Sequence, residues 1–320
     1  MSEPFVRPDV RGFLDAMAAQ PRPPMSHQLI AMIRQMPPGS MPSPDLPVGE
    51  LAVLRDVTMP GPGGPLSLRL YDPRPSREAG PVVVFFHGGG FVVGNEETHG
   101  GLAAAIARGL DLPVVSVDYR LAPEHPFPAA VNDAEAAARW IASSEGAAAL
   151  GQWATGLVLC GDSAGGNLSI VTALTLRDTP AAVPVDLLFS IYPVTDQAGV
   201  AQGIYESGRL FADGYGLPLK DMGFYDEAYA APYQDWRASP LHGDLAGLPR
   251  TLLVTAGLDP LRDQGRAFAA KAIGAGVDCT YAEYAGTIHG FATYRAGIPS
   301  ARDDLADMLS LARGQLDRRG

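Results

Sequence analysis

A single serine stands among residues with almost no side chain in the segment LCGDSAGGN, positions 159–167. Ser163 follows Gly161 by two residues and precedes Ala164 and Gly165, which gives the pattern G-x-S-x-G. The apolar run GLVLC comes before this pattern, and an apolar-rich helical stretch comes after it. A strand, a tight turn and a helix are the context in which such a serine acts as a nucleophile. The alternative is a plain strand-to-helix turn that needs glycine for its positive φ.

A second glycine-rich segment, HGGGF at positions 87–91, directly follows the apolar run PVVVFF. A serine nucleophile needs preorganised donors for the oxyanion that forms on the attacked carbonyl group. Glycines let backbone N–H groups approach an oxyanion without intervening side chains, so we predict donors at Gly89, Gly90 and Ala164. The alternative is a phosphate-binding loop, but the segment lacks the lysine of a P-loop and the spacing of a dinucleotide-binding fingerprint.

The serine also needs a base to take its proton, and the sequence contains six histidines. His289, in GTIHGF, follows the last predicted strand and precedes the C-terminal helical stretch. This position fits the chain order serine, acid, histidine, so we predict His289 as the base. His87 is expected to hold the shape of its glycine loop. The other histidines stand in the N-terminal helix, near helix starts or in a polar loop: His27, His99, His125 and His242.

The acid that orients the histidine should follow the preceding predicted strand, TLLVTAG, and LDPLRD offers Asp259 and Asp263. We predict Asp259, because it lies in the strand-end loop, whereas Asp263 falls inside the next helix. Asp259 could also cap that helix, and the two roles are compatible. Asp162, beside the serine, is expected to hold neighbouring loops by hydrogen bonds and to take no catalytic step.

The elements that must position these residues alternate along the chain. After an antiparallel pair, LAVLRDVTM and LSLRLYD, six short apolar runs are separated by helical stretches. Nearly continuous apolar strands between helices indicate a parallel sheet with both faces covered. The sequence therefore predicts an α/β fold with a mostly parallel, eight-stranded sheet. The six runs are PVVVFFH, PVVSVDY, GLVLCG, VDLLFSIYP, TLLVTAG and DCTYAEY.

One interval, residues 195–240, separates two predicted strands by a longer, aromatic-rich segment. An insertion at the carboxyl ends of sheet strands lies where ligands bind in such folds. Together with short N-terminal helices at 9–19 and 25–36, followed by the proline-rich PPGSMPSPDLP, it is expected to form a lid. The alternative is a helical excursion packed on the sheet edge. For the substrate pocket we predict Phe91, Asp162, Phe211, Phe224, Tyr225 and Phe291.

Composition excludes several classes of function. The 320 residues carry a formal net charge of −11 and no cluster of lysine or arginine, which argues against a nucleic-acid partner. The start of the sequence shows no apolar signal region, and the longest apolar run in the sheet region, VVVFF, is far too short for a membrane span. Two cysteines make no disulfide framework. We expect a cytoplasmic protein without stable membrane insertion.

These motifs together resemble the bacterial members of the hormone-sensitive lipase family of α/β-hydrolases. HGGGF, VDYRLAPEHPFPAA, GDSAGGNL, SPL, LPRTLLVTAGLDPLRDQG and IHGF occur in the family's order, from about residue 70 to the end. The resemblance implies an α/β-hydrolase fold with a helical cap. It also implies a triad of Ser163, Asp259 and His289 and oxyanion donors at Gly89, Gly90 and Ala164.

By the same resemblance, we expect hydrolysis of short- to medium-chain acyl esters without a metal or an organic cofactor, and a homodimer is possible. The glycine-rich cap segment GRLFADGYGLPLKDMGFYDEAYA departs from the family pattern, which leaves the acyl preference open. Two alternatives remain: an amidase or deacylase with the same triad, and a non-catalytic small-molecule receptor. We predict cap segments at 1–48 and 195–238 around a core formed by 49–194 and 239–320.

Overall fold

The computed structural model describes residues 3–37, 40 and 45–318. Its described residues form one eight-stranded sheet with strand order β1-β2-β4-β3-β5-β6-β7-β8. The first two strands pair antiparallel, β2 pairs antiparallel with β4, and all other pairs are parallel. The predicted fold class is confirmed. The strands are β1 Val53–Gly61, β2 Gly64–Asp72, β3 Ala79–Phe86, β4 Val114–Val117, β5 Trp153–Asp162, β6 Val185–Ile191, β7 Thr251–Leu258 and β8 Cys279–Ile288.

Helices cover both faces of this sheet. On one face α4, α6 and α10 contribute to a hydrophobic cluster, and on the other face α1, α3 and α11 contribute to a second cluster. No helix in the described part of the chain combines the length and apolarity that a bilayer crossing needs. The helices are α1 Pro8–Ala19, α2 His27–Gln35, α3 Gly100–Leu110, α4 Ala129–Ile141, α5 Ser144–Leu150, α6 Ala164–Asp178, α7 Gln197–Ala201, α8 Glu206–Phe211, α9 Leu219–Tyr229, α10 Arg262–Gly274 and α11 Ala301–Leu316.

The apolar run of the central strand β3 is buried on both faces of the sheet. Val82, Val84 and Phe86 belong to one cluster, whereas Val83 and Phe85 belong to the other, and all five are fully buried. Successive side chains of a strand point to opposite faces, so a continuous apolar run supplies both clusters at once. This strand carries the HGGG segment at its carboxyl end.

Helices α7–α9 lie between β6 and β7 and form the body of the predicted cap. The buried Asp221 of α9 accepts hydrogen bonds from the Arg22 side chain, at 2.7 Å, and from the Met25 backbone N–H, at 3.0 Å. The ring of His27, at the start of α2, meets that of Phe224 at 5.2 Å. The segment between α1 and α2 is therefore tied to the insertion, as a two-part cap requires.

Helix α1 packs elsewhere. Val10 and Leu14 are buried in the cluster that contains α3 and α11, and the Arg7 side chain donates to the carbonyl of Ala285 on β8 at 2.8 Å. The first helix of the N-terminal region thus packs on the core, whereas the segment after it contacts the insertion between β6 and β7. Residues 1–2, 38–39, 41–44 and 319–320, which include much of the predicted proline-rich connection, lie outside the described residues.

Candidate active site

Ser163 occupies the turn between β5 and α6, in a backbone conformation with φ +53° and ψ −116°. A non-glycine residue at such a φ is strained by about 1–3 kcal/mol and persists only where the surroundings hold it. The Ser163 N–H donates to the carbonyl of Ile191 at 2.9 Å, and its carbonyl accepts from the Asn167 N–H at 3.1 Å. This anchored, strained turn is the elbow that the sequence predicts.

The small residues around the serine are explained by the end of β3. A Cβ atom on Gly165 would overlap with the backbone carbonyl of Phe86, and one on Gly161 would overlap with the carbonyl of Gly165. Neither of these two backbone carbonyls can move aside without disturbing the strand or helix to which it belongs. The glycines therefore let the elbow pack directly against the neighbouring strand, which is a closer approach than a turn alone would demand.

Three side chains from the ends of three parallel strands meet at the serine. His289 Nε2 lies 2.9 Å from Ser163 Oγ, and His289 Nδ1 lies 2.8 Å from Asp259 Oδ2. Ser163 follows β5, Asp259 follows β7 and His289 follows β8. Because parallel strands present their carboxyl ends at one edge of the sheet, residues far apart in sequence converge there. The geometry is that of a nucleophile, a base and an orienting acid.

Asp259 also holds the turn that leads from β7 into helix α10. Its Oδ1 accepts a hydrogen bond from the Leu261 N–H at 2.8 Å, and its backbone carbonyl accepts from the Arg262 N–H at 3.0 Å. The carboxylate is fully buried, with one oxygen for the helix and the other for the histidine. The rival acid, Asp263, instead binds the Ser207 N–H at 2.8 Å and joins α10 to the cap helix α8.

The glycine loop lies beside the elbow. Gly89 and Gly90 have φ values of +118° and +62°, which favour glycine. The preceding N–H, of Gly88, donates to Asp162 Oδ1 at 2.8 Å and so fixes the start of the loop. No protein group in the described part of the chain accepts a hydrogen bond from the N–H groups of Gly89, Gly90 or Ala164. These three donors are available to a ligand.

Asp162 holds this loop and does not line the substrate cavity, so its assignment to the pocket is not supported. Besides the Gly88 N–H, its carboxylate faces His99 Nε2 and the Tyr192 hydroxyl, each at 3.5 Å. Burial alone would raise the pKa of the Asp162 carboxyl, but His99 and the Gly88 N–H favour the charged form and hold that pKa below its usual value. The expected loop contacts are present.

His87 is fully buried, and its ring stacks on that of Tyr119 with centroids 4.3 Å apart. Its Nδ1 lies 2.8 Å from the carbonyl of Gly88. Burial lowers the pKa of His87 to about 3, so the ring is neutral at ordinary pH. These contacts agree with a role in holding the shape of the loop.

A cavity opens on Ser163 and Gly90. Its wall is mostly apolar, and the polar side chains on it, among the described residues, belong to Ser163, Gln197, Tyr225 and Asp226. A concave apolar site with few polar groups is typical of a small-molecule pocket. The remaining wall is formed by Phe91, Val194, Val200, Leu217, Met222 and Leu261.

Of the aromatic residues predicted for the pocket, Phe91 and Tyr225 line this cavity, and the other three pack elsewhere. Phe211 meets the ring of Tyr215 and the guanidinium of Arg262, Phe224 meets His27, and Phe291 is buried against Tyr192 and Tyr284. On α9 the lining residues Met222, Tyr225 and Asp226 are spaced at i, i+3 and i+4, which is one helix face. The same spacing is visible in the sequence, and it places Phe224 off the helix face that lines the cavity.

Sequence analysis assigned no metal ligands. Within the residues that the structure describes, no group of three or more His, Cys, Asp or Glu side chains is arranged to hold a metal ion. Both cysteines, Cys160 and Cys279, are free thiols.

Comparison with known proteins identifies the family of the chain. A family model described as alpha/beta hydrolase fold, Abhydrolase_3, matches residues 83–293. The carboxylic ester hydrolase LipN of Mycobacterium tuberculosis is 38% identical over 87% of this chain and 74% of its own length. The ethyl acetate hydrolase of Pseudomonas putida is 37% identical over 76% of each chain.

Solved structures give the same result. The ester hydrolase EH1AB1 from the metagenome of Lake Arreo superimposes with a TM-score of 0.84 at 33% identity, covering 98% of this chain and 99% of that one. The thermostable carboxylesterase EstE1, from a metagenomic library, has a TM-score of 0.77 at 39% identity, covering 83% and 90%. The chain therefore belongs to the hormone-sensitive lipase-like family of α/β-hydrolases.

Proposed function

We propose that this protein is a carboxylesterase that hydrolyses short- to medium-chain acyl esters through an acyl-enzyme on Ser163. The observation that carries the proposal is the continuous pair of hydrogen bonds from Ser163 through His289 to Asp259, at 2.9 and 2.8 Å. The names of the relatives, which are esterases and carboxylic ester hydrolases, support the same reaction. The mostly apolar wall of the cavity beside Ser163 suits a modest acyl group.

The reaction follows from these positions. His289 Nε2 takes the proton of Ser163 as the hydroxyl oxygen attacks the ester carbonyl, and the carbonyl electrons move to oxygen. The resulting oxyanion accepts hydrogen bonds from the N–H groups of Gly89, Gly90 and Ala164, and each such donor is worth about 3 kcal/mol in the transition state. The protonated histidine then gives its proton to the leaving alcohol. Asp259 keeps the imidazole tautomer correct and stabilises its charged form.

Water completes the cycle. His289 takes a proton from a water molecule that attacks the acyl carbon, and the second tetrahedral intermediate expels Ser163 with that proton. The free carboxylic acid leaves, and the site returns to its starting state. No group other than those named is required to balance the protons.

Turnover of matched substrates tests this function against its alternatives. A carboxylesterase hydrolyses p-nitrophenyl butyrate much faster than butyric p-nitroanilide, whereas faster anilide turnover would make the protein an amidase. Ser163→Ala should fold and lose ester turnover. A receptor without chemistry would hydrolyse neither substrate and would be unaffected by that substitution.

Location and assembly extend the proposal. The two free thiols favour a reducing compartment, and we propose the cytoplasm. The net charge of −11 favours small molecules over nucleic acid as partners. The proposed assembly is a homodimer, and sedimentation measurements would distinguish it from a monomer.

A further inference from the structure

One carboxylate stands in the mostly apolar wall of the Ser163 cavity, which contains no other charged side chain among the described residues. Asp226, on α9, shares this cavity with Ser163, and its neighbours on the same helix face are Met222 and Tyr225. We infer that Asp226 selects esters that carry a cationic group, by pairing with that group while Ser163 attacks the ester carbonyl. The inference rests on the proposed esterase function, because it assigns a substrate class to the same site.

The carboxylate of Asp226 serves no visible structural purpose. Among the described residues no ion pair or hydrogen bond involves this carboxylate, and burial is what raises its pKa. Asp221, one and a half turns earlier on α9, differs in this respect, because it binds Arg22 and the Met25 N–H and thereby ties the cap together. A partly buried acid without a partner destabilises the fold, so its presence in the cavity wall suggests that a ligand supplies the partner.

The position of Asp226 also puts it on the path of a substrate. The residue lines the Ser163 cavity and a second cavity, and Val200 and Met222 are shared by both. A substrate that extends from Ser163 into the cap therefore passes the carboxylate. Arg209 and Tyr205 lie on the wall of the second cavity. Tyr233 follows α9, and burial and, to a smaller extent, the charge of Asp226 raise the pKa of its hydroxyl.

The surroundings of Asp226 favour a cation over a neutral hydrogen-bond donor. Burial raises the pKa of Asp226 to about 7, and a bound cation would reverse this effect by favouring the charged carboxylate. The ring of Tyr225 and the chain of Met222 offer the apolar and aromatic contacts that alkylammonium groups accept. The net charge of −11 attracts cationic molecules to the protein.

Two pairs of esters that differ only in charge test the inference. Butyrylcholine is compared with 3,3-dimethylbutyl butyrate, which places the cation in the alcohol part. The p-nitrophenyl ester of 6-aminohexanoate is compared with that of heptanoate, which places it in the acyl part. At about pH 8 the Asp226 carboxylate is mostly ionised, so in at least one pair the cationic ester should have the higher kcat/KM, mainly through a lower KM.

Asp226→Asn keeps the size of the side chain and removes its charge. In the discriminating pair, the ratio of kcat/KM for the cationic ester to that for the neutral ester should fall by about tenfold or more. Glu227→Gln is the matched control, because it removes one negative charge from the adjacent, exposed position of α9 and should leave the ratio unchanged. An equal fall in both variants would reduce the effect to general charge and overturn the inference.

The unmodified protein provides a test that does not depend on the folding of a variant. The same ratio should rise from about pH 6 to about pH 8 as Asp226 ionises, because every pH effect that the two esters share cancels in the ratio. A ratio that stays flat in both pairs overturns the inference even if the neutral esters are hydrolysed well. If no ester is hydrolysed at all, the proposed function itself fails and the inference falls with it.

Discussion

The substitution Asp259→Asn tests the site through a single atom. In the structure Asp259 Oδ1 accepts from the Leu261 N–H and Oδ2 faces His289 Nδ1, both at 2.8 Å. An asparagine has only one oxygen, and the Leu261 N–H can only donate. The amide oxygen should therefore stay with Leu261, and the amide nitrogen should face the histidine.

This orientation reverses the hydrogen bond to the imidazole. The amide donates to His289 Nδ1, so the ring proton moves to Nε2, which faces the Ser163 hydroxyl. A protonated Nε2 can no longer accept the proton of that hydroxyl. In a Ser-His-Asp site this change of tautomer costs about ten-thousand-fold in kcat. The corresponding loss is about 5 kcal/mol of transition-state stabilisation. The shape of the buried residue is kept, so thermal unfolding should change little.

Kinetics with p-nitrophenyl butyrate measure the effect, and Asp263→Asn is the matched control. Asp263 lies four residues later on the same segment and binds the Ser207 N–H and the Arg262 side chain rather than His289. Its substitution should lower the stability of the contact between α8 and α10 and leave kcat near that of the unmodified protein. The midpoint of thermal unfolding should therefore fall more in this variant than in Asp259→Asn.

Two results would refute this reasoning. If Asp259→Asn kept more than about one-tenth of kcat, the orienting acid would lie elsewhere. If Asp263→Asn lost as much kcat as Asp259→Asn, then proximity to the histidine would not be what decides activity.

Three further outcomes follow from the packing. Gly165→Ala should lower the melting temperature strongly, because the new Cβ would overlap with the carbonyl of Phe86. The control Gly274→Ala should not, because open space surrounds that position. Equal melting temperatures of the two variants would contradict the packing. Burial lowers the pKa of His87 to about 3, so below its ordinary value of 6.5 the unfolded chain takes a proton that the folded chain refuses. The free energy of unfolding therefore falls as the pH falls from 6.5 to about 3. Urea titrations of His87→Gln should show a shallower fall of this free energy over the same pH range. Asp221→Ala should loosen the cap and raise KM more than it lowers kcat, and an unchanged KM would argue against the two-part cap.

The sheet and the reacting residues were predictable because each left a local signal. Continuous apolar runs specify strands buried on both faces, and the carboxyl ends of parallel strands must share an edge, so Ser163, Asp259 and His289 could be brought together before any coordinates. Strand ends were less predictable. The run DCTYAEY ends at Tyr284, yet β8 continues to Ile288, because Gly286 adopts a φ of +73° and lets the chain rejoin β7 after an irregular step.

The cap was predictable in outline only. The aromatic content of 195–240 indicates burial, but it does not say which neighbour each ring meets, so Phe211, Phe224 and Phe291 were assigned to the pocket although they pack against other residues. Likewise, the amphipathic pattern of α1 indicates one buried face without naming the core as its partner. These contacts are set by tertiary packing, for which a single sequence carries no local signal.

Labelling with an alkyl p-nitrophenyl phosphonate, followed by peptide mass spectrometry, tests the central claim most directly. The reagent mimics the tetrahedral intermediate and reacts with an activated serine. We predict a single label on the peptide that contains Ser163, slower labelling of Asp259→Asn and none of Ser163→Ala. A label on a peptide that lacks Ser163, or full labelling of Ser163→Ala, would contradict the account.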